Sequence, residues 1–302
     1  DNKKISAALV SKIYTEDGLI KAKGIWVKSK EELFSTQSSI YMDFNLVSKF
    51  KEIKDIEGKV AIVALPCQLN FLNHLMKRDK EIQEKVYCKL GLVCGHASEK
   101  KLLKLVLETK GIKESDIEKF YFRQGLWRGK THILLKNGKT IKFPFNDFGL
   151  YQNLFLFCVK RCHYCIDHFA EKSDITFGDV WLKEYKSNIK HSLIIARNKI
   201  HMKDLLNMKK DSTIVLNEIH PSIAFKAQKR TRIYQNHTIN AIKRIKKKGI
   251  LTRKPRWNDH IAARIILFNE KIAHSKWIKT FMKIPKPLTR FYMYIEKFFQ
   301  NF

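Results

Sequence analysis

Residues 59 to 68, KVAIVALPCQ, form an unbroken apolar run rich in β-branched side chains and closed by Pro-Cys. Such a run suits a strand buried on both faces of a parallel sheet. QLNFLNHLMKR follows with apolar residues at helical spacing, at Leu69, Leu72 and Leu75 or Met76. KVYCKLGLVCGHAS repeats the buried-strand pattern as far as Cys94-Gly95, and Ser98 is the expected N-cap of the amphipathic segment EKKLLKLVLETKG, which stops at Gly111. Strand–helix–strand–helix order predicts an α/β fold with a parallel sheet core.

From residue 116 the pattern changes. An Asn-Gly-Lys turn between alternating segments in 116–145 predicts an inserted β-hairpin region. DFGLYQNLFLFCVKRCHYC reads as a helix leading into a cysteine-rich loop, SDITFGDVWL and HSLIIARN as strands, and KIHMKDLLNMKKD as a helix. From Phe225 onward the chain reads as helical, with Pro285 and Pro287 as breaks and Trp257, Ile261, Ile265, Phe268, Ile272 and Trp277 as an apolar stripe. The expected organisation is an α/β domain over 1–225 and a basic helical tail over 226–302.

Charge sharpens that division. The net charge is +30, and residues 226–302 carry 20 Lys/Arg against Asp259, Glu270 and Glu296. A tail so basic admits nucleic acid, anionic lipid or an acidic partner, beside the plainer possibility of a solvated surface. KRTRIYQNHTINAIKRIKKKG interleaves one aromatic, Tyr234, but has no zinc-finger, helix-turn-helix or RNA-recognition signature, so nucleic acid is disfavoured. A peripheral contact with an anionic membrane through the stripe stays open. No apolar run approaches the ~18 residues of a membrane span. The chain opens at Asp1 without Met or a signal-like segment, which suggests that an initial strand and helix precede it.

Six cysteines in 302 residues are too few for a disulfide scaffold, so a reducing, cytoplasmic setting is expected. Cys162 and Cys165 are separated by two residues, the spacing with which one turn grips a metal or a cluster. Parallel strands all point one way, and ligands collect outside their carboxyl ends. Cys67 and Cys94, each at a predicted strand end, should therefore emerge at one edge of the sheet. Cys158 competes as a ligand, although Phe157 and Val159 beside it favour burial. Cys88, inside a strand signal, reads as packing, and His163 and His168 read as surface residues. Spacing alone favours a metal site without choosing the metal.

The ordered motifs resemble the coenzyme F420 hydrogenase/dehydrogenase β-subunit family. ALPCQ (64–68) is similar to the family's GTPCQ, and CGH (94–96) to its CHG or CGG. Phe122, Arg123 and Trp127 match its "FR" with a following Trp. RCHYCIDHFAEKSDITFGDVW matches its RCxxCxDF…ADIxxGD.W, and SLIIARN resembles SxVxxRT. TEDGLIKAKGIWVKSKEELFSTQSSIYMDF resembles the upstream family stretch, so the likeness runs from residue 7 to about 220.

The resemblance implies an iron–sulfur flavoprotein oxidoreductase that exchanges hydride with a deazaflavin, coenzyme F420 or another carrier, and passes electrons to a redox partner protein or subunit. It implies Cys67, Cys94, Cys162 and Cys165 as ligands of one [4Fe–4S] cluster and FAD as the flavin. Ser38, Ser39, Tyr41, Gln68 and Arg123 are the residues expected near that flavin, with Tyr41 alternatively a core aromatic and Arg123 alternatively one half of a salt bridge. Asp174 and Asp179 are expected to accept backbone N–H bonds around the cluster loop. No residue is assigned as catalytic. The family's Gly-rich SGG turn, which helps seat the flavin, has no counterpart after Asp1, and Ala64-Leu65 replaces a small polar pair beside it.

Overall fold

The computed structural model describes residues 4–126, 128–186 and 189–301; Trp127, one of the family-motif matches, lies outside them. The chain runs β1 (Ala7–Glu16), β2 (Leu19–Val27), α1 (Lys30–Ser35), β3 (Val60–Ala64), α2 (Pro66–Arg78), α3 (Lys80–Lys85), β4 (Val86–Leu92) and α4 (Lys100–Thr109). There follow β5 (Ile117–Gln124), β6 (Lys130–Leu135), β7 (Thr140–Pro144), α5 (Asn146–Asn153), β8 (Ile175–Asp179), β9 (Ser192–Ala196) and α6 (Lys199–Lys210). The C-terminal helices are α7 (Pro221–Ala227), α8 (Lys229–Ile233), α9 (Ile239–Ile245), α10 (Trp257–Ala273), α11 (Ile278–Lys283) and α12 (Lys286–Asn301).

Among the described residues, six strands make one sheet in the order β2-β1-β3-β4-β8-β9 and three make a second, β5-β6-β7. β1, β3, β4 and β8 are mutually parallel, while β2 and β9 pair antiparallel as the edges. The parallel core and the inserted hairpin are as the apolar pattern predicts. The β1–β2 hairpin is an addition that the pattern did not supply. Its turn is Asp17-Gly18, both at positive φ, the dipeptide that fits the twist of a two-residue hairpin.

Everything between β4 and β8 is one long excursion: α4, the antiparallel sheet, α5 and the cysteine loop. α4 ends as expected at Gly111, at φ +67. The Ile112 N–H reaches the Leu107 carbonyl and the Gly111 N–H that of Glu108, closing the orphan carbonyls of the last turn. Its start differs from expectation. Glu99, not Ser98, takes the N-cap position and gives no side-chain cap. Ser98 is instead buried as a bridge between Met42 and Cys158, so its backbone is committed to neighbouring segments.

α5 also stops earlier than expected. Phe155 and Phe157 take φ of 59° and 54°, values an α-helix cannot accommodate. The chain then turns so that Phe155 and Cys158 point into a shared cluster with Cys162, Tyr234, Ile239 and Ile266.

The C-terminal helices pack onto this body, and the stripe divides, with Ile261, Ile265 and Ile272 half-buried. α10 buries Ala262, Ala263, Ile266, Asn269 and Ala273, while Trp257, Phe268 and Trp277 of the expected stripe are 66%, 55% and 59% exposed. α12 buries Thr289, Met293, Glu296 and Gln300 and turns Leu288, Phe291, Tyr294 and Phe298 outward. Pro285 and Pro287 separate α11 from α12 by opening the new helix, where a missing N–H costs nothing. Among the described residues no helix is long and apolar enough to cross a membrane.

Candidate functional site

The carboxyl ends of β3 and β4 deliver the first two thiols. Pro66 opens α2 one residue after β3, placing Cys67 in its first turn. Gln68 folds back so that its Oε1 accepts from the Leu65 N–H at 2.9 Å, fixing the bend. Cys94 follows β4, with its N–H on the His168 carbonyl at 3.0 Å. Its own carbonyl meets His168 Nδ1 at 2.8 Å and the Gln235 amide at 3.4 Å.

The other thiols come from the excursion. Residues 97–99 lie between 41–43 and 157–159 as a short ladder: Asp43 donates to Ser98, Glu99 to Phe157 and Val159 to Ala97. A 3-10 turn over Lys160–Tyr164 then presents Cys162 and Cys165. The Ala97 N–H points at Cys162 Sγ, 3.5 Å away. Gly91 lets the loop close on the sheet, because a Cβ there would lie 2.5 Å from Ala170 Cβ and 2.8 Å from Ser173 Cβ.

Cys67, Cys94, Cys162 and Cys165 are thereby brought close enough to feel one another's charge. Burial pushes the Cys67 and Cys94 thiols up, and Cys165 up to about 11. Cys162 goes the other way, down to about 7, because the neighbouring Cys158 thiol favours its thiolate, with Ala97 N–H and Arg161 assisting, while the Cys158 Sγ–H itself reaches the Val159 carbonyl at 3.7 Å. Cys158 therefore stands behind Cys162, buried and held well above its usual range by desolvation. Arg161, paired with Asp43, supplies the nearest positive charge. Among the described residues all six cysteines are unbridged. Several thiols converging from separate segments at a sheet edge are a donor set suited to an iron–sulfur cubane.

Sequence reasoning missed the groups that hold this loop. His163 and His168 are buried, not on the surface. His168 Nε2 meets Gln228 Oε1 at 3.2 Å, and the Gln228 amide donates to the Asp179 carbonyl at 2.6 Å. His163 Nδ1 lies 3.2 Å from the Tyr234 hydroxyl, and desolvation lowers its pKa to about 4. Tyr234 begins a single π-helical turn, Tyr234–Thr238, a local widening that recurs at functional sites. Nothing in the polar run 228–238 marks these residues without the fold.

The expected flavin-side residues divide. Arg123 on β5 grips Asp179 at the end of β8 with both ends of its guanidinium, at 2.8 and 2.6 Å, and donates to the Tyr41 hydroxyl at 3.0 Å. Its charge also lies 5.2 Å from the Trp181 ring centroid. Tyr41 packs its ring on Phe122, Phe145 and Phe148, the core-aromatic alternative, while its hydroxyl accepts from Arg123. Ser38 Oγ bonds the Ser39 carbonyl at 3.3 Å, and Ser39 lies beside Tyr41. Gln68 lies in the first turn of α2 with its Oε1 occupied by the Leu65 N–H.

Asp179 thus pairs with the Arg123 side chain. Asp174 does accept a backbone N–H, but that of Lys89 at 2.8 Å, away from the cluster loop. Arg123, Asp179, Trp181, Lys190 and His191 line a narrow cleft between the two sheets.

The fold is mixed α/β, with unbridged thiols from separate segments gathered at one edge of its parallel sheet. Residues 57–222 match the family described as the C terminus of the beta subunit of coenzyme F420 hydrogenase/dehydrogenase, and the chain belongs to that family. It is 23% identical over 158 residues to the F subunit of the F(420)H(2) dehydrogenase of Methanosarcina mazei, covering 52% of this chain and 42% of that protein. It is 28% identical over 194 residues to the coenzyme F420-dependent sulfite reductase of Methanocaldococcus jannaschii, covering 60% and 28%. It is 27% identical over 175 residues to the beta subunit of the coenzyme F420 hydrogenase of Methanococcus voltae, covering 55% and 57%. The chain thus spans between 28% and 57% of the length of these relatives. A chain in the structure of the F420-reducing [NiFe] hydrogenase complex from Methanosarcina barkeri shares the fold, with a TM-score of 0.59, 17% identity and 83% of each chain covered.

Proposed function

We propose that this chain is an iron–sulfur flavoprotein subunit that passes electrons between a hydride carrier, coenzyme F420 or another substrate, and a [4Fe–4S] cluster. The observation that carries the proposal is the meeting of Cys67, Cys94, Cys162 and Cys165 at the carboxyl edge of the sheet. These four hold the cluster, with Cys158 as a buried neighbour of Cys162. The cluster, when bound, supplies one-electron transfer. Ala97 N–H and Arg161 offset the negative charge that four thiolates bring, and the aromatic and aliphatic wall of Phe155, Tyr234, Ile239 and Ile266 keeps water away.

Ser38, Ser39, Tyr41 and Arg123 form the flavin-facing side. Arg123, held by Asp179 and close to the Trp181 ring, would pair with an anionic or carbonyl edge of FAD. Gln68 contributes by fixing the bend that places Cys67. Electrons leave to a redox partner protein or subunit, in keeping with the complexes named for the relatives.

Anaerobic purification followed by iron, sulfide, zinc and flavin assays on one sample tests this. About four irons per chain, lost in Cys162→Ser, is the expected result. Zinc in place of iron at these cysteines would overturn it. Arg123→Lys should lower flavin content with iron unchanged.

A second reading, contact with an anionic membrane surface, is favoured by the outward face of α12. Leu288, Phe291 and Phe298 are 59%, 65% and 55% exposed on a helix that also carries Lys286, Arg290 and Lys297, the composition of an interfacial helix. Sedimentation with vesicles containing phosphatidylserine, but not with neutral vesicles, would support it over nucleic acid.

A further inference from the structure

The sixth cysteine lies at the other end of β4. Cys88 is the third residue of that strand, six positions before Cys94, on the order of 20 Å away at the usual strand rise. It is buried and takes no part in the cluster loop. Asp174 is the residue immediately before β8, held by the Lys89 N–H. His201 lies in the first turn of α6, buried, with its own N–H capped by Asn198 at 3.0 Å. Cys88 Sγ, a carboxylate oxygen of Asp174 and a ring nitrogen of His201 all lie within 4.8 Å of one another. Three elements separate in sequence thus contribute one metal-ligating atom each.

An independent observation concerns what lies behind the histidine. Asp204 Oδ2 stands 3.5 Å from His201 Nδ1. That carboxylate is itself anchored by Lys4 Nζ at 2.5 Å and the Tyr87 hydroxyl at 3.3 Å. A fixed carboxylate against one ring nitrogen is how proteins orient an imidazole whose other nitrogen binds a metal. The competing cation is Lys89, whose Nζ is 3.9 Å from Asp174 Oδ1 and bonds Asn73 at 3.3 Å. At that distance it does not hydrogen-bond the carboxylate.

We propose that Cys88, Asp174 and His201 bind one divalent ion of the zinc class at the amino-terminal edge of the sheet, with Asp204 orienting the imidazole. Thiolate and carboxylate together match the ion's two charges, and the sulfur selects against magnesium and calcium. Three protein ligands leave a fourth position for solvent. The ion ties α6 to β4 and β8 on the side of the sheet opposite the cysteine cluster. This proposal is independent of the cluster and of the flavin.

The test uses the full chain with its iron content intact. Protein purified anaerobically is passed over chelator, equilibrated with zinc chloride, desalted and assayed for zinc and iron together. Zinc-edge X-ray absorption then counts the sulfurs around the ion. Expected are about one zinc per chain with one sulfur neighbour, and a loss of roughly tenfold or more in zinc affinity in Cys88→Ser and in His201→Gln, with iron unchanged. Cys88→Ala, which retains a small buried side chain, guards against a folding defect. Its melting temperature without zinc should match that of the parent, and added zinc should raise the parent's alone. Zinc binding unchanged in these variants, no zinc bound by the parent, or a shell of four sulfurs would each overturn the assignment.

Discussion

The carboxyl edge of the parallel sheet and the C-terminal helices meet at the same cysteines but are built on opposite rules. At the sheet edge, chemistry follows topology. β3 and β4 run side by side in one direction, so whatever follows each strand appears at one rim, and Cys67 and Cys94 do so. In the helices, chemistry follows packing. α8 and the π-turn insert Gln228, Tyr234 and Gln235 among the cysteines, and α10 and α12 turn alanines and polar residues inward while tryptophan and phenylalanine face out. The sheet edge supplies the reactive atoms, and the helices hold the loop that carries them.

The largest effect should come from breaking the sheet-edge side. Cys162→Ser is expected to reduce iron from about four per chain to less than one, because it removes a sulfur around which the others gather. Cys158→Ser removes only a neighbour of that sulfur and should retain the iron, with a changed visible spectrum. Equal iron loss in both would make Cys158 a ligand and reassign the set.

Closing the loop onto the sheet comes next. Gly91→Val forces a branched side chain into the space where a Cβ alone would meet Ala170 at 2.5 Å. Overpacking of that kind costs about 3 kcal/mol, read as a lower urea midpoint with an unchanged slope. If Gly91→Val melts like the parent, the loop is not seated on β4 as described.

On the helical side the expected cost is smaller. Gln228→Leu leaves the Asp179 carbonyl and His168 Nε2 without the partners they have at 2.6 and 3.2 Å. Unsatisfied buried groups of this kind cost about 2 kcal/mol. Faster hydrogen exchange confined to the cysteine loop would distinguish loss of the clamp from general destabilisation.

The same contrast explains what the sequence made legible. β3, β4, the β6–β7 hairpin, α4 with its Gly111 stop and α6 follow from period and turn chemistry, which are local. The meeting of Cys67 and Cys94 follows from strand direction. The β1–β2 hairpin carried a local signal in Asp17-Gly18, but its strands lack the unbroken apolar run that marks β3. His163, His168, Gln228 and Tyr234 carried none, because a buried polar side chain is recognisable only once its partner is placed. The α10 stripe was legible only as a stripe. Amphipathic spacing shows that a helix has two faces but not which one packs, and here Ala262, Ala263, Ile266 and Asn269 are buried while Trp257 and Phe268 face out. Cys88 had its burial read correctly, yet His201 and Asp174 stand beside it only in three dimensions.

The smallest prediction concerns the inverted face of α12. Glu296 is buried beside Arg230, whose Nη2 lies 3.3 Å from Oε1, while Oε2 has no hydrogen-bond partner among the described residues. Desolvation outweighs Arg230 and raises the carboxyl to about 7 from 4.5. The folded chain therefore holds a proton that the unfolded chain releases above its ordinary pKa. The linked stabilisation is complete below pH 4.5 and disappears as pH rises through about 7. Glu296→Gln keeps an acceptor for Arg230 and removes the titration. It should stabilise the protein at pH 8 and have no measurable effect near pH 4.5. Denaturant melts at the two pH values check this. A variant less stable than the parent at pH 8 would mean that the charged pair outweighs its burial, so that the polar inward face of α12 holds the helix in place by charge.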